Sequence, residues 1–409
     1  MGKGFRCAAY ILIMAWLWQS CSPSRDIMRS GQSPERVQHD MQRRQVQPFC
    51  VGAANTTAYL PFIQDKKVGV LTNATGRVGD QHLIDFLLAH GVQVVSIFAP
   101  EHGFRGTADA GEHIEDGKDA QTGLPVISLY GNNKKPKPEQ LAGLDVLLFD
   151  IQDVGARFYT YISTLHYVME ACTENKLPLL VLDRPNPVGG VIDGPVLDLK
   201  YNSFVGMHPI PVLHGLTIGE YALMINGEKW LSEGKQCELQ VIPCLGYTKA
   251  MPYHVPVKPS PNLPNDQAIR LYASLCFFEG TPISVGRGTP FPFQVYGAPF
   301  LMETGFSFTP QPNEGAKDPM YKGQQCNGVD LRQTMPFRGL QLKYLLDAYH
   351  QAPDASKFFN AFFTKLAGGQ GLQHDIEACL DEAAIRAHWA EGLQQFEQMR
   401  KPYLRYALE

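Results

Sequence analysis

Short apolar runs alternate with helical patterns along the first half of this 409-residue chain. The runs at residues 67–72, 92–98, 146–149 and 179–182 are typical of buried strands, because they are short, rich in Val, Leu and Ile, and followed by polar residues. Segments with the apolar spacing of an amphipathic helix lie between them. A repeated strand–helix–strand order builds a parallel sheet with helices on its faces. The sequence therefore predicts an α/β fold with a mostly parallel sheet.

Three of these strands end in clusters of carboxylate, arginine and glycine residues. The first cluster contains Glu101, the second contains Asp150 and Asp153, and the third begins with Asp183 and Arg184. In an open α/β sheet, ligands bind outside the carboxyl ends of the strands. We therefore expect the three clusters to meet in one polar cleft.

Glu101 is the strongest candidate for a catalytic acid in this cleft. Hydrolysis of a glycosidic bond needs a carboxylic acid that protonates the departing oxygen, and burial keeps such an acid protonated near neutral pH. The apolar residues Phe98 and Phe104 flank Glu101. Asp150 or Asp153 would supply the second carboxylate as nucleophile, base or orienting group, although turn formation and ion pairing are the structural alternatives.

Arginine residues near the clusters are candidates for binding a carboxylate on the ligand. A guanidinium group matches a carboxylate through two parallel hydrogen bonds. Arg157, Arg184 and the glycine-flanked Arg287 are the main candidates, with structural ion pairs as the alternative for each. Tyrosines such as Tyr159 provide either sugar-stacking surface or core packing. The predicted substrate-binding residues are His102, Arg105, Arg157, Tyr159, Arg184, Asn186 and Arg287.

Several ligand classes have no matching pattern in the sequence. Neither GxGxxG nor GxxxxGK[ST] occurs, so no nucleotide cofactor is predicted. The formal net charge of -4 gives no electrostatic footprint for nucleic acid. A divalent ion held by His102 with Asp150 or Asp153 is an alternative, but the histidine spacing matches no known metal-binding pattern.

The first 50 residues predict a targeting signal and a tether. A positively charged start precedes an apolar run at residues 7–18, which is too short to span a membrane and suits a signal peptide. Ser20 and Cys21 follow, as in a lipoprotein signal whose cysteine carries the lipid. Plain secretion and an uncleaved anchor are the alternatives, and each places the mature protein in the cell envelope, periplasmic or membrane-anchored. The predicted divisions are residues 1–21 for the signal, 22–50 for a flexible tether, 51–255 for a catalytic domain and 256–409 for a smaller domain.

Cysteine usage does not indicate a disulfide scaffold. Nine cysteines are too sparse for one in a chain of this length. Cys237 and Cys244 are close enough in sequence to form a bridge in an oxidising compartment. Buried free thiols are the preferred interpretation.

Long motifs occur in a fixed order from about Val51 to the C-terminus. They include PEHGFRG at residues 100–106, FDIQDVGARFYTYISTL at 149–165, LDRPNPVGG at 182–190 and FEGTPISVGRGTPFPFQ at 278–294. Through these motifs the chain resembles a bacterial family of exo-β-N-acetylmuramidases, peptidoglycan-recycling glycoside hydrolases formerly catalogued as a conserved domain of unknown function. The resemblance implies a Rossmann-like N-terminal domain and a smaller C-terminal α+β domain.

The resemblance also implies an activity. Members of the family release N-acetylmuramic acid (MurNAc) from the non-reducing ends of peptidoglycan fragments such as MurNAc-GlcNAc. The family's catalytic glutamate lies in the PEHG motif, which corresponds to Glu101, and the lactyl carboxylate of MurNAc gives the arginines a ligand. No cofactor is implied, and membrane contact is limited to the predicted lipid anchor.

Alternatives to this mechanism and this activity stay open. The acetamido group of the substrate is the alternative to a second protein carboxylate. A lipoprotein that binds muropeptides without cleaving them is one alternative function. A metal-dependent envelope hydrolase is another.

Overall fold

The computed structural model describes residues 48–101, 103–104 and 117–409. These residues belong to one compact unit. No helix among them is both long enough and apolar enough to cross a membrane. The predicted signal segment with Cys21, the tether up to residue 47, His102 and Arg105 lie outside the described residues.

The described residues contain twelve strands and ten α-helices. The strands are β1 (Lys67–Thr72), β2 (Arg77–Val78), β3 (Gln81–His82), β4 (Gln93–Ala99), β5 (Gly117–Lys118), β6 (Pro125–Ser128), β7 (Val146–Asp150), β8 (Leu179–Leu182), β9 (Leu239–Ile242), β10 (Val295–Ala298), β11 (Ser307–Phe308) and β12 (Cys326–Asp330). The helices are α1 (Leu60–Ile63), α2 (Leu83–Ala89), α3 (Pro138–Leu141), α4 (Tyr161–Asn175), α5 (Ile218–Gly227), α6 (Asp266–Leu275), α7 (Lys343–His350), α8 (Ala361–Ala367), α9 (Gly371–Glu377) and α10 (Glu382–Arg400).

Seven strands form the central sheet in the order β5–β6–β4–β1–β7–β8–β9. Every neighbouring pair is parallel except β5 and β6. Without the two-residue edge strand β5, this is the strand order of a Rossmann fold, in which the winding reverses between β1 and β7. The predicted α/β fold with a mostly parallel, Rossmann-like sheet is confirmed.

Both faces of the central strands β1, β7 and β8 are buried, which explains why these strands are nearly continuous apolar runs. Successive side chains of a strand point to opposite faces. On β7, Val146 and Leu148 join the core cluster that contains α2, while Leu147 and Phe149 join the larger cluster that contains α4. The parallel strands therefore run between two layers of helix, and their carboxyl ends share one edge.

Helix α5 shows how local sequence determines an element boundary. The helix begins with a capping box, because the Thr217 hydroxyl accepts a hydrogen bond from the Glu220 amide and the Glu220 carboxylate accepts one from the Thr217 amide. The helix ends at Gly227. A Cβ at Gly227 would lie 2.3 Å from the Tyr403 ring, so close packing against the C-terminal segment occupies this position.

The last third of the chain forms the smaller C-terminal domain. Its three strands make an antiparallel sheet in the order β10–β12–β11, and helices α6 to α10 pack around it and against the larger domain. The smaller C-terminal α+β domain is therefore confirmed. The boundary at residue 255 stays a prediction.

Candidate active site

Glu101 lies two residues beyond the carboxyl end of β4. Its Oε2 accepts a hydrogen bond of 2.6 Å from the hydroxyl of Thr160. Thr160 directly precedes α4, the helix that follows β7 in the chain. The segments that follow β4 and β7 thus bring Glu101 and Thr160 together, although the two residues are far apart in the sequence.

A cavity of about 240 Å³ opens beside Glu101, between the two domains. The Rossmann-like domain supplies the wall around Glu101 and Thr160, and the C-terminal domain supplies the opposite wall. Two polar residues that follow the predicted domain boundary at residue 255, Ser260 and Asn262, also line it. The lining residues are Glu101, Tyr130, Phe158, Tyr159, Thr160, Tyr161, Phe204, Val205, Ser260, Asn262, Leu263, Tyr272, Glu279, Arg287, Phe293 and Phe362.

Tyr159 and Tyr161 form a rigid part of the wall. Both hydroxyls donate to the carbonyl oxygen of Pro259, at 2.9 and 3.0 Å, and the rings pack edge to face with centroids 4.8 Å apart. The Asn73 amide, at the end of β1, donates to the Tyr161 oxygen at 2.8 Å. Burial raises the pKa of both tyrosines, so both hydroxyls stay neutral and act as fixed hydrogen-bonding groups.

Glu279 and Arg287 form an ion pair in the opposite wall. Nε and Nη2 of Arg287 both donate to Oε1 of Glu279, at 2.8 and 2.6 Å. The side chains are 25% and 24% exposed, so the pair is in contact with the cavity rather than sealed. Burial acts to lower the pKa of Arg287, but the Glu279 carboxylate outweighs it and the pKa is raised.

The glycines that flank Arg287 hold its loop in a left-handed conformation. Gly286 has φ of 75° and Gly288 has φ of 81°. A Cβ on Gly288 would lie 2.6 Å from Pro319 and 2.7 Å from the carbonyl oxygen of Gln311. The backbone at Gly288 therefore lies close to another loop of the protein, the one that contains Gln311 and Pro319.

Asp150 and Arg184 form a buried ion pair at the ends of β7 and β8. Arg184 donates through Nε to Oδ1 at 2.6 Å and through Nη2 to Oδ2 at 2.9 Å, and Nη2 also reaches the carbonyl oxygen of Arg77. Neither residue lines the cavity beside Glu101. The expectation that Asp150 and Arg184 share a cleft with Glu101 is therefore corrected. The two side chains are buried and form their hydrogen bonds with each other.

Asp153 is also enclosed, with 4% of its surface exposed. Its Oδ2 accepts a hydrogen bond of 2.7 Å from the amide of Gly155, and Nε2 of His214 lies 3.7 Å from the same oxygen. Asp153 does not line the cavity. Its expected position beside Glu101 is likewise corrected, since the carboxylate shapes the turn after β7.

Arg157 and Asn186 hold the fold together instead of facing the cavity. Arg157 is fully buried and donates to three carbonyl oxygens, those of Pro195, Ile210 and Leu366, at 2.7–2.8 Å. Burial lowers the pKa of Arg157. The side-chain amide of Asn186 bridges the backbone of Val188 and Leu216. The positions of both residues correct the expectation that they line the ligand site.

Among the predicted residues that the structure describes, the substrate-binding candidates Tyr159 and Arg287 and the catalytic candidate Glu101 line the cavity. Sequence reasoning missed other polar residues of the same cavity, among them Thr160, Ser260, Asn262 and Glu279. A signal for Glu279 was present. It shares the motif at 278–294 with Arg287, and an acid and an arginine in one glycine-rich loop are an obvious pair.

Other features of the described residues lie outside this cavity. A larger cavity of about 460 Å³ is lined by residues 187–192 and the C-terminal end, but Glu101 is not part of it. No group of three or more His, Cys, Asp or Glu in the described part of the chain is arranged to hold a metal ion. Cys237 and Cys244 are buried and unbridged.

Two family models match consecutive parts of the chain, from residue 68 to residue 406. The N-terminal model of exo-beta-N-acetylmuramidase NamZ matches residues 68–267, and the C-terminal model of the same family matches residues 270–406. The chain belongs to the NamZ family. The cavity is built by both parts of the NamZ pattern, because Glu101 and Thr160 lie in the first match and Glu279 and Arg287 lie in the second.

Characterised and solved proteins resemble the chain over most of its length. It is 39% identical over 380 residues to peptidoglycan beta-N-acetylmuramidase NamZ of Bacillus subtilis, a glycosidase, covering 85% of this chain and 89% of that protein. Two crystal structures of DUF1343 family proteins from Bacteroides fragilis superimpose on it with TM-scores of 0.82 and 0.75, at 45% and 30% identity. Each covers 88% of this chain and 99% of the solved chain.

Proposed function

We propose that this protein is an exo-acting glycosidase that releases MurNAc from the non-reducing ends of peptidoglycan fragments, with Glu101 as the general acid. Membership of the NamZ family supports a glycosidase acting on peptidoglycan. The observation that carries the mechanism is an acid at the rim of the β-sheet, facing a small cavity with aromatic and polar walls. At about 240 Å³ the cavity is smaller than the roughly 300–1,000 Å³ of pockets for drug-sized ligands, which favours one terminal sugar over a glycan chain.

The hydrogen bond from Thr160 gives the two oxygens of Glu101 different tasks. Oε2 accepts the hydroxyl proton of Thr160, so the transferable proton is carried by Oε1. A general acid must hold its proton within hydrogen-bonding distance of the leaving oxygen. Thr160 thereby fixes which edge of the carboxyl group faces the glycosidic bond.

Arg287 is the proposed partner of the lactyl carboxylate that distinguishes MurNAc from N-acetylglucosamine. Its Nε and Nη2 are used on Glu279, while Nη1 makes no hydrogen bond with any residue that the structure describes. A guanidinium nitrogen facing a partly water-excluded cavity forms a strong, charge-assisted hydrogen bond to a carboxylate. Tyr159 and its neighbours would pack against the sugar ring.

The envelope location is part of the same proposal. It depends on the sequence of residues 1–21, with lipid attached at Cys21. The polymer that the proposed enzyme acts on lies in that compartment. Release of the protein from the membrane fraction by Cys21→Ala would test the anchor.

The deciding experiment offers the full chain a defined MurNAc-β-1,4-GlcNAc disaccharide and identifies the products by mass spectrometry. Wild-type protein should release free MurNAc. Glu101→Gln should lower kcat by roughly 10²- to 10⁴-fold, since general acid catalysis contributes that much. Glu139→Gln, the same change at an exposed site of α3, is the matched control and should behave as wild type. Tight binding of the disaccharide without any product would instead identify a non-catalytic binder, and full activity of Glu101→Gln would remove Glu101 from the mechanism.

A further inference from the structure

The cavity contains a second carboxyl group, which comes from the C-terminal domain. Among the described residues that line it, Glu101 and Glu279 are the two acidic side chains. Glycoside hydrolysis by the common route uses two carboxyl groups on either side of the scissile bond. The carboxylates expected from the strand ends, Asp150 and Asp153, are enclosed elsewhere.

The surroundings of Glu101 and Glu279 differ in charge. Glu101 is held by a neutral hydroxyl, that of Thr160. Glu279 is held by the guanidinium of Arg287, which places both of its donors on one oxygen, Oε1. Hydrogen bonds from a guanidinium are charge-assisted and pair best with a carboxylate. When two carboxyl groups of one site lie in different electrostatic environments, they take different roles in catalysis.

The second oxygen of Glu279 is left for a ligand. Among the described residues, Oε2 has one hydrogen-bonding contact, with the thiol of Cys276, whose sulfur lies 3.7 Å away. A thiol is a weak donor, so this contact is easily exchanged. Glu279 therefore has one oxygen that Arg287 fixes in place and another that is able to interact with a sugar.

We infer that Glu279 is the second catalytic carboxylate of the reaction, an inference that rests on the proposed glycosidase function. Glu101 transfers its proton to the bridging oxygen as the bond from C1 to that oxygen breaks, and the electron pair leaves with the reducing-end sugar. The negative charge of Glu279 stabilises the positive charge that develops at C1 and the ring oxygen. Water then supplies the hydroxyl group at C1, and its other proton restores Glu101.

The test compares wild type, Glu279→Gln and Glu279→Asp on a para-nitrophenyl β-glycoside of MurNAc. Glu279→Gln keeps the side-chain shape and removes the charge, so kcat should fall by roughly 10²- to 10³-fold, the effect of losing one transition-state charge partner. KM should stay within about threefold, because the interaction strengthens only as charge develops. Glu279→Asp should recover part of kcat. Glu303→Gln, an exposed glutamate of the same domain, is the control.

Chemical rescue distinguishes a catalytic role of the Glu279 carboxylate from a purely structural one. Glu279→Ala should lose activity and regain at least about tenfold when formate is added, because a small carboxylate enters the space that the side chain vacates. Inactivity of wild type would overturn the proposed function itself. Active wild type with a Glu279→Gln kcat within about fivefold of it, or loss of activity without formate rescue, would overturn this inference alone.

Discussion

Two arginine–carboxylate pairs in this protein share their chemistry and differ in their surroundings. Asp150 and Arg184 are 0% and 2% exposed at the side chain and use both carboxylate oxygens on each other. Glu279 and Arg287 are about a quarter exposed, and the arginine uses one carboxylate oxygen only. The buried pair thus uses its carboxylate oxygens within the fold. In the open pair, the described residues leave Nη1 of Arg287 without a hydrogen bond and Oε2 of Glu279 with a thiol contact only. Residue type alone does not distinguish the two pairs. They differ in the hydrogen-bonding atoms that each pair leaves without a bond to its partner.

The largest contrast should appear in stability. Asp150→Asn should destabilise the fold by about 3–5 kcal/mol, because it leaves the buried charge of Arg184 without its carboxylate. Glu279→Gln should cost about 1 kcal/mol or less, since water screens the open pair. Urea unfolding of both variants measures the difference. Similar losses would show that the two pairs are both structural.

Substrate selectivity should depend on the open pair. Arg287→Ala should lower kcat/KM for a MurNAc glycoside by roughly 10- to 100-fold, the value of a charged hydrogen bond, and should affect the matching N-acetylglucosamine glycoside less. The ratio of the two kcat/KM values is the readout, because any shared effect through Glu279 cancels in it. Arg287→Lys keeps the charge and should retain part of the selectivity. An unchanged ratio would exclude a contact with the lactyl carboxylate.

The stability of the fold should also depend on pH, because Asp183, which follows β8, is a buried carboxyl group. Burial raises the pKa of Asp183 from 3.8 to about 6, although a hydrogen bond from Tyr406 opposes the shift. An acid whose pKa is raised on folding stabilises the fold fully below its unfolded pKa, and that contribution is lost as the pH rises to about 6. The difference in unfolding free energy between wild type and Asp183→Asn should fall across this window, by at most about 1.4 kcal/mol per pH unit. A difference that rises with pH would contradict the assigned direction.

The smallest effect is expected at the edge of the cavity. Phe362 of α8 lines it while 36% of its surface is exposed, which suits a contact with the leaving sugar. Phe362→Ala should raise KM for the disaccharide by about two- to fivefold and leave kcat for the para-nitrophenyl substrate unchanged. Leu199→Ala, an exposed apolar residue outside the cavity, is the control. Equal changes with both substrates would place Phe362 away from the leaving group.

Local patterns in the sequence predicted the framework of the fold. The limits of β1 and β8 agree with the apolar runs, and α5 begins with the capping box that Thr217 and Glu220 form. Such features depend on neighbours a few residues away. The position of Glu101 after a buried strand was predicted for the same reason.

The remaining site residues depend on contacts between distant segments. Asp150 and Arg184 are 34 residues apart, and their mutual burial follows from the pairing of β7 with β8, not from either local sequence. Glu279 joins the cavity because the C-terminal domain folds against the Rossmann-like domain. A search for acids at strand ends could not find it, since Glu279 lies in a 3-10 helix, Cys276–Gly280, of the other domain.

Arg157 carries a consequence for any attempt to shorten this protein. One of the three oxygens that accept hydrogen bonds from its guanidinium belongs to Leu366, and the hydroxyls of Tyr159 and Tyr161 both donate to the carbonyl oxygen of Pro259. A fragment cut after the Rossmann-like half would retain the acid yet lose the acceptor that Leu366 provides for a cation deep in its interior. The two domains therefore depend on each other for folding. A fragment that contains only the Rossmann-like domain should be insoluble, so that its activity could not be measured.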